Sequence, residues 1–205
     1  DRVNAVEFSP DGRRLATGGG VPSRGGELKI WRVRDGAELA ADVDEHSDAI
    51  SSVSFSPDGR HVATAATDRF VKVFSSEDAG FARSFEGHTN HVLDVAWSAD
   101  GLALASSGAD NVVKLWDFEA GTQKKTVAGH SKPVTSVDFV GTGETLVSSS
   151  GDKTVRLGDK PLPDAGTFMH VAASSEDGKM IAAGGEDSIL RIWSAAEKKM
   201  LLKLE

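Results

Sequence analysis

The chain has 205 residues, of which 39% are hydrophobic and 26% are charged, values close to those of ordinary globular proteins. Its formal net charge of −8 argues against nucleic acid as a partner, because phosphate binding depends on a clustered basic surface. The absence of cysteine excludes disulfides, thiolate zinc sites and cysteine nucleophiles. No apolar run approaches the length of a membrane span, and the start at Asp1 without a methionine or signal-like segment favours a trimmed N-terminus.

A short turn motif recurs along the chain. It is FSPDG at residues 8–12 and 55–59, WSADG at 97–101, FVGTG at 139–143 and SSEDG at 174–178. The final glycines stand at positions 12, 59, 101, 143 and 178, so the spacings are 47, 42, 42 and 35 residues. Self-similarity at a nearly fixed period indicates a repeat architecture.

Around each turn motif the same four segments follow one another. An apolar run such as HVLDVAW precedes the turn, and a small-residue segment such as LALASSG follows it. A β-branched segment such as VVKLW and an amphipathic one such as TQKKTV complete the unit. Short strands between Gly, Asp and Pro turns predict one four-stranded antiparallel sheet per repeat. We place the repeats at about 1–43, 44–85, 86–127, 128–167 and 168–205.

The first strand of each unit carries apolar residues at an uneven spacing, as at Ile50, Val53 and Phe55. The second and third share a face by the two-residue strand period, but the first lies three residues away. One extra residue, a β-bulge, brings all three to one face, whereas the alternative is a strand that buries both faces. We favour the bulge.

Two stretches depart from the repeat. The insertion from Gly18 to Gly26 is predicted to be a flexible loop between strands, a place where function often collects. The segment Gly158–Phe168 shows no recognisable fourth strand, because two prolines within three residues would spoil a central strand. Either this repeat has degenerated, or residues are absent from the chain; we favour absence.

The third repeat, EGHTNHVLDVAWSADGLALASSGADNVVKLWD at residues 86–117, resembles the WD-repeat signature, and the resemblance covers essentially the whole chain. It implies an all-β fold, a WD-repeat β-propeller in which each repeat supplies one four-stranded blade. Propellers usually close with four to eight blades, and this family most often uses about seven. The five visible repeats are therefore expected to form part of a larger ring, with a five-blade ring as the alternative.

The resemblance also assigns a role to regularly spaced polar residues. In the family, a histidine, a serine or threonine, an aspartate and a tryptophan form a hydrogen-bonded structural tetrad. The third repeat matches all four positions with His88, Ser106, Asp110 and Trp116. The other repeats match in part: His46, Thr64, Asp68, His130, Ser148, Asp152, Asp187 and Trp193, with Thr17 and Trp31 in the first repeat. A buried aspartate needs donors, which imidazole and hydroxyl groups supply.

Serine, histidine and aspartate together also suggest a hydrolase, but three observations argue against catalysis. There is no G-x-S-x-G nucleophile elbow, and no oxyanion loop is recognisable. The repeats lose tetrad members one by one, which packing tolerates and catalysis does not. We expect no catalytic residue, no cofactor and no metal site, since the six histidines are spread along the chain.

The resemblance implies a non-catalytic protein–protein interaction scaffold. Partner binding in this family commonly uses the face formed by the segment before the first strand and the loop between the second and third strands. The matching positions are Asp48, Thr67, His91, Ala109, Lys132 and Glu186. For any single position, a plain solvated loop is the alternative. We expect one or more protein partners, and neither nucleic acid, a membrane span nor a small-molecule substrate.

The stretches GGGVPSRGGELKIW and FEGHTNHVLDVAW are also similar to the WD-repeat arrays of bacterial proteins that carry c-type cytochrome domains. This weaker resemblance implies an alternative function, a docking or regulatory module of a larger electron-transfer protein. It implies a periplasmic setting, with the cytoplasm as the alternative. Any haem would lie in another domain, because CxxCH is absent here.

Overall fold

The computed structural model describes residues 2–205. Asp1, the first residue of the first predicted repeat and the predicted trimmed start, is outside the described residues. The described chain forms twenty strands in five four-stranded antiparallel sheets, and it contains no helix. Within each sheet the strands follow chain order from one edge to the other. The predicted all-β repeat fold is confirmed, and each sheet is called a blade below.

The strands have the following bounds. Blade 1 contains β1 (Arg2–Phe8), β2 (Arg14–Val21), β3 (Gly25–Arg32) and β4 (Ala37–Asp42). Blade 2 contains β5 (Ile50–Phe55), β6 (His61–Ala66), β7 (Phe70–Ser75) and β8 (Phe81–Glu86). Blade 3 contains β9 (Val92–Trp97), β10 (Ala103–Gly108), β11 (Val113–Asp117) and β12 (Thr122–Val127). Blade 4 contains β13 (Val134–Phe139), β14 (Leu146–Ser150), β15 (Val155–Leu157) and β16 (Lys160–Pro161). Blade 5 contains β17 (Met169–Ser174), β18 (Met180–Gly185), β19 (Leu190–Ser194) and β20 (Lys199–Leu204).

The recurrent turn motif closes the hairpin between the first and second strands of a blade. In blade 3 the Asp100 carboxylate accepts hydrogen bonds from the Ser98 hydroxyl, at 2.6 Å, and from the Leu102 backbone N–H, at 2.9 Å. Gly101 follows with a φ of +72°, a conformation that favours glycine. The aspartate thus satisfies the turn backbone, and the glycine supplies the reversal.

The predicted bulge is confirmed. In blade 2 the pairing register shifts between Ile50 and Ser52, and the first strand of every blade has a shift at the same place. Ile50, Val53 and Phe55 consequently all face one way, with exposed fractions of 1%, 7% and 6%. The bulged residue Ser51 donates its hydroxyl to the Val92 carbonyl of blade 3 at 2.7 Å. The bulge therefore orients the apolar face and links neighbouring blades.

The apolar trio of the first strand shows that the blades pack in chain order. In blades 2 to 4 it is buried against the preceding blade. In blade 1 the equivalent Val3, Val6 and Phe8 are 65%, 62% and 60% exposed. On the far side of blade 5, the cross-strand pair Leu190 and Leu204 is likewise exposed. Both end faces are open to solvent in the structure, and a larger ring stays a prediction.

The expectation of a flexible loop at 18–26 is wrong. β2 continues to Val21 and β3 begins at Gly25, so the insertion lengthens a regular hairpin. Glycine permits this because the backbones approach closely: a Cβ on Gly19 would lie 1.9 Å from the Arg2 carbonyl oxygen. A Cβ on Gly18 would lie 2.5 Å from the Ile50 side chain of blade 2. The glycines are needed for packing.

The expectation of no fourth strand in blade 4 is also wrong. After a turn at Gly158, with a φ of +63°, residues Lys160–Pro161 form β16 and pair with β15. Proline is tolerated because this strand is the edge of the sheet. The chain then inserts Leu162 and Ala165, each 4% exposed, into the core that blade 4 shares with blade 5. Two anchoring side chains thus replace most of a normal outer strand.

Candidate functional site

The structure brings His88, Ser106, Asp110 and Trp116 together inside blade 3. His88 Nδ1 lies 3.0 Å from the Asp110 carboxylate, and His88 Nε2 lies 2.8 Å from Ser106 Oγ. The indole Nε1–H of Trp116 donates to Ser106 Oγ at 2.9 Å. The backbone N–H of Thr89 donates to Asp110 at 2.9 Å. One hydrogen-bonded chain therefore joins four elements of the blade.

The proton arrangement in this chain follows from donor and acceptor counting. Because the Ser106 hydroxyl accepts from Trp116, its own proton is free to be donated to His88 Nε2, and Nδ1–H then donates to Asp110. This arrangement needs a neutral imidazole. Burial lowers the pKa of His88, and the hydrogen bond to Asp110 offsets only part of that effect. Ser106 is fully buried, so its hydroxyl is not accessible to solvent.

Blade 2 keeps the network without the indole. His46 Nδ1 lies 2.8 Å from Asp68, and its Nε2 lies 2.6 Å from Thr64 Oγ1. The buried ring of Phe74 packs near His46, with ring centroids 6.2 Å apart. Burial alone would raise the pKa of Asp68, but the hydrogen bond from His46 and the backbone N–H of Phe70 bring it below its usual value. An apolar ring therefore fills the tryptophan position without offering a donor.

Blade 4 satisfies its aspartate in another way. His130 lies 2.9 Å from both Asp152 and Ser148, and the Thr154 hydroxyl donates to Asp152 at 2.6 Å. Burial opposes ionisation, but the hydrogen bonds from Thr154, the Ser131 N–H and His130 lower the pKa of Asp152 to about 2. Burial also lowers the pKa of His130. Thr154 is a partner that sequence inspection missed.

Blades 1 and 5 have no such histidine. Trp31 Nε1–H donates to Thr17 Oγ1 at 2.8 Å, whereas Trp193 Nε1–H donates to the Pro163 carbonyl at 2.9 Å. The carboxylate of Asp187 pairs with the guanidinium of Arg191, which holds the pKa of Asp187 below its usual value. Arg191 is a second residue that sequence inspection missed. The available signal was a basic residue four positions after the aspartate.

The six candidate partner-binding residues lie on the end of the blades that carries the loops between second and third strands, called the loop face below. The backbone N–H groups of Thr67, Ala109 and Glu186 donate to carbonyls just before the first strand of their own blades, at 2.8–3.0 Å. His91, Lys132 and Glu186 are exposed, and the other three are half-buried. Backbone hydrogen bonds thus fix these loops while several side chains remain free.

Asp48 has a structural task on the loop face as well. Its carboxylate accepts hydrogen bonds from the backbone N–H groups of Ser23, at 2.8 Å, and Ala49, at 2.7 Å. These bonds lower the pKa of Asp48, so it is charged at neutral pH. Ser23 is at the tip of the lengthened hairpin of blade 1. The carboxylate therefore ties that tip to blade 2.

The innermost strands carry carboxylates that sequence inspection missed. Glu7, Asp94 and Asp138 border a cavity of about 260 Å³ between the innermost strands. Each accepts a backbone N–H from the next blade along the chain, from Phe55, Val137 and Ser174 respectively. Burial raises the pKa of Glu7 to about 7 and that of Asp94 to about 6, and it also raises the pKa of Asp138. These side chains link neighbouring blades along their innermost strands.

Other grooves lie at the opposite end of the blades, where the hairpin turns between first and second strands project; this end is called the turn face. They separate blades 1 and 2, blades 2 and 3, and blades 3 and 4, with volumes of about 710, 620 and 210 Å³. Over residues 2–205, no group of three or more His, Asp or Glu side chains is placed to hold a metal ion. The same residues include no helix long and apolar enough to cross a membrane.

Comparison with known protein families gives one match. The model of the family described as WD domain, G-beta repeat matches residues 1–32, 38–75, 80–117, 121–159 and 166–194. The search of curated proteins found no match. The matched segments cover most of the chain, and each of the three middle segments runs from the fourth strand of one blade through the first three strands of the next. The chain therefore belongs to the WD40 repeat family.

Proposed function

We propose that this protein is a non-catalytic scaffold that binds a protein partner through its loop face. WD40 repeats generally mediate protein–protein interactions. The observation that carries the proposal is the contrast between two sets of polar residues. The polar residues inside the blades form hydrogen bonds with one another. His91, Lys132 and Glu186 instead project from loops that backbone hydrogen bonds hold in place.

The fixed loops favour binding for a thermodynamic reason. A surface that is ordered before association loses less conformational entropy when the partner binds. The loop face combines the charged Asp48, Lys132 and Glu186 with the imidazole of His91, so it offers both signs of charge and an aromatic surface. Such a mixture suits a polar protein surface better than a single apolar ligand.

The test begins with affinity capture of partners from the native source, followed by measurement of the dissociation constant. Substituting Asp48→Lys, His91→Ala and Glu186→Lys together is expected to weaken binding by more than about tenfold. The melting midpoint reports whether the hairpin tip that Asp48 holds has been disturbed. A triple variant on the turn face, with Arg13→Ala, Glu144→Ala and Lys179→Ala, serves as the matched control. Unchanged affinity in the loop-face variant would contradict the proposal.

The hydrolase alternative has its own test. Ser106 is fully buried and lies within hydrogen-bond distance of His88 and Trp116. Screening with ester and peptide substrates is therefore expected to show no turnover that depends on Ser106. Turnover that Ser106→Ala abolishes while the fold survives would overturn the scaffold assignment.

A further inference from the structure

The groove between blades 2 and 3 on the turn face has an aromatic floor. His61 of blade 2 and Trp97 and Phe118 of blade 3 lie side by side within a cavity of about 620 Å³. The ring centroids of Trp97 and Phe118 are 4.8 Å apart, and those of His61 and Phe118 are 5.2 Å apart. Both pairs are edge-to-face contacts, a favourable aromatic geometry. The floor is therefore a packed aromatic cluster that reaches the surface.

This apolar character is a property of one groove and does not recur with the repeat. The Phe118 N–H donates to the Leu102 carbonyl at 2.9 Å, and Ser76 and Arg60 in blade 2 make the equivalent bond. The position of Leu102, which is 59% exposed, holds a charged residue in every other blade: Arg13, Arg60, Glu144 and Lys179. The repeat fold therefore requires neither a leucine at position 102 nor a phenylalanine at position 118.

The floor is fixed before any ligand arrives. The indole Nε1–H of Trp97 donates to the Ser54 carbonyl of blade 2 at 3.1 Å, so its polar group is satisfied. The guanidinium of Arg83 lies 5.6 Å from the Phe118 ring centroid and donates to the Glu119 carbonyl at 2.8 Å. These contacts hold the rings from both sides. Aromatic residues that are ordered before binding often contribute most of the binding free energy of an interface.

Carboxylates outnumber cations around the groove, which is lined by Asp58, Asp100 and Glu119 and by one guanidinium, that of Arg83. Asp58 and Asp100 stand at the two hairpin turns, and each accepts hydrogen bonds from a serine hydroxyl and from a backbone N–H of its own turn. These bonds lower the pKa of both carboxylates, so both are charged at neutral pH. Their side chains remain accessible; that of Asp58 is 54% exposed, and its one cationic neighbour, Arg60 Nε at 3.9 Å, is itself 82% exposed and free to move aside. A cationic group beside an apolar anchor therefore complements the groove.

The neighbouring grooves on the turn face lack this combination. Between blades 1 and 2, Arg14 crosses the boundary and donates to Ser76 Oγ at 2.7 Å. Between blades 3 and 4, Lys124 pairs with Glu144 across the boundary. In both places, polar side chains of adjacent blades satisfy each other. Only the groove between blades 2 and 3 joins an aromatic floor to a charged rim among the grooves described.

We propose that this groove binds a protein partner through a short extended peptide segment carrying a large apolar side chain next to lysine or arginine. The apolar side chain packs on Trp97, Leu102 and Phe118, and the basic side chain lies beside Asp58 and Asp100. A peptide supplies both groups on adjacent residues. The site is on the opposite end of the blades from the loop face and is independent of it.

The probe is a displayed library of random peptides, selected against the folded protein. We expect the enriched peptides to pair Leu, Ile, Phe or Trp with an adjacent Lys or Arg. Leu102→Arg and Phe118→Ser introduce the residues that blade 2 carries at these positions, so the fold is expected to survive. Each is expected to weaken binding of the selected peptides by more than about tenfold. Lys179→Ala, at the equivalent turn of blade 5, is the matched control.

The charge requirement is tested separately. Replacing Asp58 and Asp100 with asparagine keeps the turn acceptors and removes both charges, so peptides with a neutral neighbour should then bind as well as basic ones. The site is overturned if no peptide enriches over the Leu102→Arg variant, if the enriched peptides lack the apolar-basic pair, or if they bind Leu102→Arg unchanged. The selected peptides should bind the loop-face triple variant as tightly as they bind the wild type. This result would show that the groove is independent of the loop face, so that either proposal can fail without the other.

Discussion

Blade 3 and blade 5 bury the same residue with different partners. Trp116 and Trp193 are 1% and 0% exposed, and each indole N–H is satisfied. In blade 3 the acceptor is the Ser106 hydroxyl, which continues to His88 and Asp110. In blade 5 it is the carbonyl of Pro163, from the connection that leaves blade 4. A buried indole thus has its N–H satisfied in both blades, by a hydroxyl of the histidine network in one and by a backbone carbonyl in the other.

The aspartates of these blades differ in the same way. Asp110 is nearly buried and bonds to His88 and the Thr89 N–H, whereas Asp187 is on the surface and pairs with Arg191. A buried carboxylate must be hydrogen-bonded or paired, which His88 and Thr89 achieve in blade 3 and Arg191 achieves nearer the surface in blade 5. A missing histidine is therefore compensated by an ion pair and by a neighbouring backbone carbonyl.

The largest expected effect tests whether the two tryptophans are equivalent. Trp116→Ala and Trp193→Ala should each lower the free energy of unfolding by ~3–5 kcal/mol, because each leaves a large cavity in a core. Urea unfolding followed by circular dichroism measures both. Leu201→Ala on the outer strand of blade 5, where the side chain is 49% exposed, is the control and should change stability little. A nearly neutral Trp193→Ala would show that blade 5 does not depend on its ring.

A smaller change in the free energy of unfolding is expected from the two aspartates. Asp110→Ala should cost ~1–3 kcal/mol, because it leaves the His88 and Thr89 donors without an acceptor. Asp187→Ala should cost a similar or smaller amount: the nearly buried guanidinium of Arg191 loses its counter-charge, but it keeps its hydrogen bonds to the Asp164 and Ile189 carbonyls.

Double variants then distinguish the blades, again by urea unfolding. Adding Arg191→Leu to Asp187→Ala should restore most of the lost stability, since no orphaned charge remains and the Asp164 carbonyl that loses the guanidinium belongs to an exposed residue that water can reach. Adding His88→Leu to Asp110→Ala should not, because the proton of the buried Ser106 hydroxyl then loses its acceptor and the Thr89 N–H still lacks one. Equal recovery in both blades would contradict the distinction.

The smallest predicted effect concerns the innermost strands, where blade 1 carries Glu7 and blade 5 carries Ala173 at the equivalent position. The pKa of Glu7 rises from 4.5 to about 7, so the folded state binds more protons than the unfolded state between these values. Its contribution to stability is therefore complete below pH 4.5 and is lost as the pH rises through 7. We expect Glu7 to contribute ~1–2 kcal/mol to the free energy of unfolding at low pH, because solvent screens part of the effect at this half-buried side chain.

Glu7→Gln keeps an acceptor for the Phe55 N–H and removes the titration. The difference in unfolding free energy between wild type and Glu7→Gln should therefore change by this amount between pH 5 and pH 8, in favour of wild type at low pH. The comparison cancels the buried histidines, whose lowered pKa acts in the opposite direction within the same range. A difference that does not vary with pH would contradict the assignment.

Much of the fold was predictable because it repeats locally. The uneven spacing of Ile50, Val53 and Phe55 predicted the bulge, and the spacing of His88, Ser106 and Asp110 matches residues that the structure brings together. Each signal lies within one blade and depends on strand period and turn chemistry. The glycine-rich hairpin at 18–26 was misjudged because glycine is typical of loops, and only the neighbouring backbone reveals close packing.

The sequence by itself determined the blade: its strand order, its turns and the polar positions inside it, since all of these depend on contacts within about forty residues. The tertiary structure decided what happens between blades. It gave Trp193 an acceptor from the preceding connection, left Val3 and Phe8 exposed where their counterparts are buried, and joined His61 to Trp97 and Phe118. These outcomes depend on which surfaces meet, and a repeat pattern carries no information about a neighbour's side chains.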